Sequence, residues 1–303
     1  MARGEGGVAS APVERAAAAP SRAWTGRALR HLLVLPTAVL TIVCFVIPLA
    51  LIAVYSLGSE NLVTFNVFFG WTTANYRGFA SSLYLHTLLR SLVLSVATTG
   101  ACAILGLALA YFISRQPPRV QRLLLAGVIL PFWTSFIVRT YSWVDLLQNL
   151  GPIDRLAGAL GHGGHINILY TPTAIGIGIV YSYLPLMVLP IYVALERIDP
   201  ALFDAASDLG ASPLRQFRRV VLPLARPGLI AGIIIVGVPA IGEYVIPEIL
   251  GGGKTLMVGN IMANQFLETG DYPFGSALAV SLMAVLLVFL FVLRRAQPPL
   301  EAP

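Results

Sequence analysis

The chain has 303 residues, 57% of them hydrophobic and 11% charged, with a mean hydropathy of +0.80 and a net charge of +6. A water-soluble domain carries about 25% charged residues, so this chain cannot clothe a water-facing surface and much of it must face lipid. Its cations are almost all arginine, and in a membrane protein their places along the chain matter more than their sum, so nothing points to a nucleic-acid partner.

Residues 1–30 are rich in Ala, Gly, Pro and Arg and are predicted to form a disordered tail, since they offer too little apolar surface to offset ordering. The apolar run Leu32–Leu57 is about twice the length of a signal-peptide core and ends without a small-residue cleavage pattern, so it reads as a retained membrane anchor. A helix of roughly 20 apolar residues crosses about 30 Å of hydrocarbon. Five more segments qualify: Thr87–Ser114, Leu123–Leu146, Ala174–Leu195, Gly228–Ile246 and Phe274–Leu293. The predicted class is an all-α membrane protein with six transmembrane helices in residues 31–295, a long outer loop at Gly58–His86, and a short cytoplasmic tail at 296–303. The two halves show no obvious repeat.

With the amino terminus placed in the cytoplasm, fifteen of the 20 Lys and Arg fall in cytoplasmic segments. Outer loops hold only Arg77, Arg155 and Lys254, and Arg90 and Arg139 fall within spans. The positive-inside rule therefore predicts both termini in the cytoplasm. Pro36, Pro48, Pro131, Pro185, Pro190 and Pro239 lie inside spans, where each removes a backbone donor. They are read either as kinks repaired by neighbouring helices or as breaks lining a passage.

Cys44 and Cys102 sit in apolar runs and read as packing residues. His31 and His86 lie near span ends, and His162 and His165 share one outer loop. No Ser/His, metal-ligand or paired-acid constellation of a membrane enzyme is visible. Gly251-Gly252-Gly253-Lys254-Thr255 is no P-loop, because Glu248 stands where its first glycine belongs.

The most informative stretch joins the fourth and fifth spans. Asp199 is placed to cap a helix beginning at Pro200, and Gly210 to end it in a left-handed turn. Leu202, Phe203, Ala206 and Leu209 fall on one side and Asp204, Ser207 and Asp208 on the other. Ser212-Pro213 opens a second helix bearing Arg215, Arg218 and Arg219, which leads to Leu222-Pro223. Two short helices about a glycine turn form a rigid knob. It suits either a connector lying on the membrane or, given Phe203 and the acidic face, docking into a protein groove.

Asp204-Ala205-Ala206, three residues, Gly210, nine residues, then Val220-Val221-Leu222-Pro223 resembles the EAA motif of binding-protein-dependent ABC importer permeases, with Asp for Glu and Val for Ile. Pro131–Leu147, Tyr181–Pro200 and Pro239–Met262 look like spermidine/putrescine-type permeases. The resemblance implies a type I ABC importer permease fold in the bacterial inner membrane, with the loop 199–223 as coupling helix through Phe203, Asp204, Ala205, Ala206, Gly210, Leu222 and Pro223. It further implies an ATPase homodimer, a second related permease and a periplasmic binding protein. ATP and magnesium belong to the ATPase, and no cofactor is expected on this chain. The implied cargo is a polyamine. Permeases of this kind also carry iron, thiamine or phosphonate-like solutes, and a secondary transporter is the alternative outside the family.

A charge near the bilayer centre costs about 2.5–3.5 kcal/mol and so faces protein or a water-filled cavity. Glu243 reads either as the partner of Arg139 or Arg90 or as a carboxylate that receives an ammonium group in passage. Trp133, Tyr141, Trp143, Tyr183 and Tyr244 offer aromatic faces to such cations, and Asp145, Glu243 and Glu248 offer compensating charge. The aromatics near Tyr141 are equally placed for an interfacial belt.

Overall fold

Within lipid, an α-helix satisfies every backbone N–H and C=O of its own segment. The computed structural model describes residues 35–60, 67–68, 70–79, 82–160 and 167–295. The two tails, 1–30 and 296–303, and the outer-loop histidines His162 and His165 lie outside that set. Apart from a minimal hairpin, Ser59–Glu60 (β1) antiparallel to Val67–Phe68 (β2), the regular elements described are helical.

The chain divides into two units, Met1–Leu51 and Ile52–Pro303. The first holds most of α1 (Leu35–Tyr55), whose 21 residues have a mean hydropathy of 2.7 and a length of about 32 Å, enough for one crossing. In the second follow α2 (Ala74–Phe79), α3 (Ser82–Ser114), α4 (Pro118–Trp133), α5 (Phe136–Leu147), α6 (Pro152–Ala159) and α7 (Pro172–Glu196). Then come α8 (Ala201–Asp208), α9 (Pro213–Ile241), α10 (Val245–Gly251), α11 (Val258–Asn264, prolonged by a wider turn Gln265–Thr269) and α12 (Tyr272–Arg295).

α3, α7 and α9 share one core, with Cys102, Ile113, Met187, Ile191, Val221 and Val236 all fully buried. A second cluster joins Leu147 of α5, Ile175 and Ile179 of α7, Ala240 of α9, and Ile246 and Leu250 of α10. A third joins Leu88, Ile241, Val258 and Leu282, from α3, α9, α11 and α12. α7 and α9 approach closely at Gly228, where a Cβ would lie 2.4 Å from the Pro190 carbonyl oxygen and 2.8 Å from Ala194 Cβ. Small residues let membrane helices close on one another, and here even one methyl collides with backbone that cannot move aside. Gly228→Leu is therefore expected to lower stability by about 1–3 kcal/mol or more, measured as the midpoint of thermal denaturation in detergent.

α3 begins five residues before its sequence-predicted start, whereas α7 and α12 exceed their predicted bounds by only one or two residues at each end. Two expected spans differ in kind. Leu123–Leu146 is not one helix: Pro118–Trp133 and Phe136–Ala159 are bent by 96°. Pro131 has no N–H for the Gly127 carbonyl, the last turn tightens, and Thr134 and Ser135 turn extended (ψ 153° and 133°). The Thr134 hydroxyl donates to the Pro131 carbonyl at 2.7 Å, which supplies one group left open by the break.

The expected fifth span, Gly228–Ile246, is displaced. α9 begins at Pro213 and stops at Ile241, so Glu243 lies outside the helix rather than within it. Pro239 withholds an N–H from the Ile235 carbonyl near the helix end, and Gly242 then leaves helical geometry. The second short helix expected after Gly210 is not separate either. It is the first part of α9, carried past Pro223 by a widened turn at Phe217–Val221. The presumed long loop Gly58–His86 contains α2 and the start of α3, with Asn75 Nδ2 donating to the Ser56 and Gly58 carbonyls at 3.1 and 2.9 Å.

Candidate functional site

The loop 199–223 obeys local rules closely. Asp199 Oδ1 accepts from the Ala201 N–H at 2.9 Å and caps α8. At the other end Gly210 has φ +72°, the Gly210 N–H donates to Ser207 O at 2.8 Å, and the Ala211 N–H donates to Ala206 O at 3.0 Å. That pair of bonds is the Schellman ending, which needs a left-handed residue at this point. Gln216 Nε2 then donates to Ser207 Oγ at 2.9 Å and to the Ala211 carbonyl at 3.1 Å, bracing α8 against α9.

Asp204, Ala205, Leu222 and Pro223 are exposed, as are Leu202 and Leu209, the latter 86%. Phe203 is not among the outward residues. It turns back onto its own chain, half-buried, with the Arg115 guanidinium carbon 3.5 Å from its ring centroid, and Ala206 is half-buried with it. The expected apolar face thus splits, because α3 ends beside one part of it. Leu202 and Leu209, rather than Phe203, are the apolar side chains available to another protein.

Glu243 is only 7% exposed. Its Oε2 accepts from the Tyr183 hydroxyl at 2.5 Å, and its Oε1 accepts from the Val245 and Ile246 N–H groups at 3.0 and 3.3 Å. The carboxylate therefore caps α10, its charge against the positive end of that helix, and ties it to α7. Among the described residues neither Arg90 nor Arg139 pairs with it. Arg90 Nη2 donates to Thr255 Oγ1 at 3.2 Å. Arg139 lies against the Phe132 and Phe136 rings (5.2 and 5.8 Å), and its buried Nε and Nη1 have no hydrogen-bond partner. Glu243→Leu strands two N–H groups and a hydroxyl, which is expected to cost on the order of 2–4 kcal/mol. Glu243→Gln retains a capping oxygen and is expected to lose less than half of that, read from the same detergent denaturation midpoints.

Beyond the break lies a cavity of about 520 Å³ between the start of α3, α10 and α11. Tyr84, Tyr244, Glu248, Asn260, Asn264 and Glu268 line its polar parts. Asn260 Nδ2 donates to Glu248 Oε2 at 2.7 Å and to the Tyr244 carbonyl at 3.0 Å, while its Oδ1 accepts from the Met257 N–H at 3.2 Å. Asn264 Nδ2 donates to Glu268 Oε2. Two carboxylates, amide oxygens and phenol rings around an open space make an environment for a cation with N–H donors. Among the described residues no group of three or more His, Cys, Asp and Glu side chains is placed to hold a metal ion.

The sequence-predicted pathway residues therefore do not form one site. Tyr244 and Glu248 line the cavity, whereas Tyr183 and Glu243 form the buried clamp behind it. Trp133 (85% exposed), Tyr141 and Asp145 are on the outer surface of the α4–α5 break. Sequence reasoning missed Asn260, Asn264, Glu268 and Tyr84. The one available signal was the polar run after Met262, where Asn264 and Glu268 stand four apart on one helical face.

This helical membrane fold, with a braced loop on an arginine-rich end and a polar cavity near a broken span, is that of a transport permease. The sequence profile of the family described as "Binding-protein-dependent transport system inner membrane component" matches residues 102–300. The chain belongs to that family, the permease subunits of ABC importers, and is a multi-pass inner-membrane protein. Among curated proteins it is 40% identical over 227 residues to the spermidine/putrescine transport system permease protein PotB of Escherichia coli K12, covering 75% of this chain and 82% of that one. It is 30% identical over 217 residues to the sulfate transport system permease protein CysT of Salmonella typhimurium, covering 71% and 75%. Among solved structures it is similar to a bacterial ABC transporter involved in the import of the acidic polysaccharide alginate, with a TM-score of 0.72, 15% identity, and coverage of 93% and 100%.

Proposed function

We propose that the chain passes a polyamine such as spermidine or putrescine from a periplasmic binding protein to the cytoplasm by alternating access. The observation that carries this reading is the 40% identity to PotB across most of both chains. The cavity supports it: Glu248 and Glu268 offer charge to two ammonium groups, and Tyr84 and Tyr244 offer ring faces between them. An anion such as sulfate would meet repulsion there. Glu243, with every carboxylate oxygen already engaged, holds the wall of the passage rather than the cargo.

The arginines orient the molecule. Arg115, Arg119, Arg122, Arg197, Arg215, Arg218 and Arg219 lie in or beside the loop 199–223 and the α3–α4 turn, and the positive-inside rule supports a cytoplasmic side for these segments and for both termini. There Leu202, Asp204, Ala205 and Leu209 present the surface that an ATPase homodimer grips. ATP and its magnesium are bound and hydrolysed by that partner, this chain carries no cofactor, and a second related permease completes the passage. The test is ATP hydrolysis and uptake by the reconstituted complex with its binding protein, offered each solute in turn. Stimulation by spermidine or putrescine is expected. Stimulation by iron, thiamine or a phosphonate alone would discard the polyamine assignment, and failure of any ATPase to copurify would discard the docking loop.

A further inference from the structure

We propose that a stack of one guanidinium and three rings, Phe203–Arg115–Tyr111–Phe217, is the joint through which the loop 199–223 moves the membrane helices, with Arg115 as its positioning residue. This rests on reading that loop as the ATPase contact.

The stack joins three elements. Phe203 belongs to α8, Tyr111 to the last turns of α3 with Arg115 directly after its end, and Phe217 to the first turns of α9. Arg115 lies 3.5 Å from the Phe203 centroid and 5.4 Å from the Tyr111 centroid. Tyr111 in turn meets Phe217 edge-on, with centroids 5.6 Å apart and planes at 74°. A cation over a ring face is held by the ring quadrupole, and edge-to-face rings are held by the same charge pattern, so the four groups favour one relative arrangement.

α8 has no fully buried residue, so Phe203 is the large side chain by which it grips the helices behind it. Space is left around that grip. A cavity of about 230 Å³ is lined by Tyr111, Ser114, Arg115, Gln121, Glu196 and Phe203, so the ring is clasped by the guanidinium rather than wedged on all sides. A clasp of this kind carries a push or pull along the stack while letting α8 tilt.

The far ends of the two gripped helices are what give the joint its consequence. α3 runs unbroken from Ser82 to Ser114, about 50 Å, and its first turns carry Tyr84 and Thr87 into the polar cavity. α9 runs on past Phe217 to the break at Gly242, after which Tyr244 and Glu248 line the opposite wall. Displacement of α8 is thus passed at one joint to α3, which bounds the cargo space, and to α9, which leads into the α10 wall of it.

The experiment uses the whole reconstituted complex and reads solute taken up per ATP hydrolysed, together with the amount of ATPase that copurifies. Phe203→Leu keeps the apolar volume but removes the ring face, and Arg115→Ala removes the cation. Each is expected to lower the uptake-to-hydrolysis ratio about tenfold while the ATPase still copurifies. Phe203→Tyr, which keeps the face, is expected to restore the ratio. The double variant Phe203→Leu with Arg115→Ala is expected to be no worse than Arg115→Ala alone, because the contact between the guanidinium and Phe203 is already lost in that single variant. Normal coupling in Phe203→Leu would overturn the proposal, as would additive losses in the double variant or loss of copurification in Phe203→Leu, which would place the ring in loop folding alone. If no ATPase copurifies with the unaltered chain, it is the docking loop that fails, separately from the stack.

Discussion

Replacing Gly210 by valine lowers stimulated ATP hydrolysis and uptake in the reconstituted complex about tenfold and leaves the protein in the membrane at its usual yield. Gly210 holds φ at +72°, and a Cβ there would meet nothing within 4 Å, so the obstacle is backbone conformation rather than space. An L-residue in the left-handed region loses about 1–2 kcal/mol, and a β-branched one is among the worst placed. The strain falls on the turn that makes the Schellman bonds and lets Gln216 reach Ser207. The loop then populates other shapes about tenfold more, and a surface that must fit a groove is no longer presented. Asparagine tolerates this conformation better than other non-glycine residues, so Gly210→Asn keeps a large part of the activity. If valine were as active as asparagine, the left-handed turn would be irrelevant to coupling.

Glu248→Gln combined with Glu268→Gln lowers uptake by about 30- to 150-fold, as measured by binding-protein-dependent transport of radiolabelled spermidine. Each amide still accepts from its asparagine neighbour, Asn260 or Asn264, so the walls of the cavity keep their bonds while losing both charges. A charge-assisted hydrogen bond to an ammonium contributes about 1–1.5 kcal/mol more than its neutral counterpart, and two such terms give the stated range at about tenfold per 1.4 kcal/mol. Tyr244→Ala, removing one ring face of the cavity, is expected to reduce uptake only a few-fold. Undiminished uptake by the double glutamine variant would show that cargo passes elsewhere.

Much of the loop was legible because its rules are local. Asp199 two residues before the N–H that donates to it, Ser212 before Pro213, and a glycine at a helix end act within a single turn, so their spacing carried the geometry. The direction of Phe203 was not legible. It shares a helical face with Leu202 and Leu209, and only the arrival of Arg115 at the end of α3 separates the ring from them. Glu243 was recognised as a buried acid in need of a partner, but the partners are Tyr183, 60 residues away, and N–H groups that exist only because α9 stops at Ile241. Pairing it with Arg139 or Arg90 was reasonable electrostatically and wrong geometrically.

By itself, the sequence determined the membrane class, the presence of each apolar segment, the family and the course of the loop, since these follow from composition, run length and contacts within a few residues. Only the tertiary structure decided where α4 and α9 break, which polar groups meet across the breaks, and that Tyr84, Glu248 and Glu268 share a cavity. The physical reason is that a proline specifies a missing hydrogen bond but not the direction in which the chain continues. That direction depends on the packing of helices distant in sequence, and it alone sets which buried charges and rings come within reach of one another.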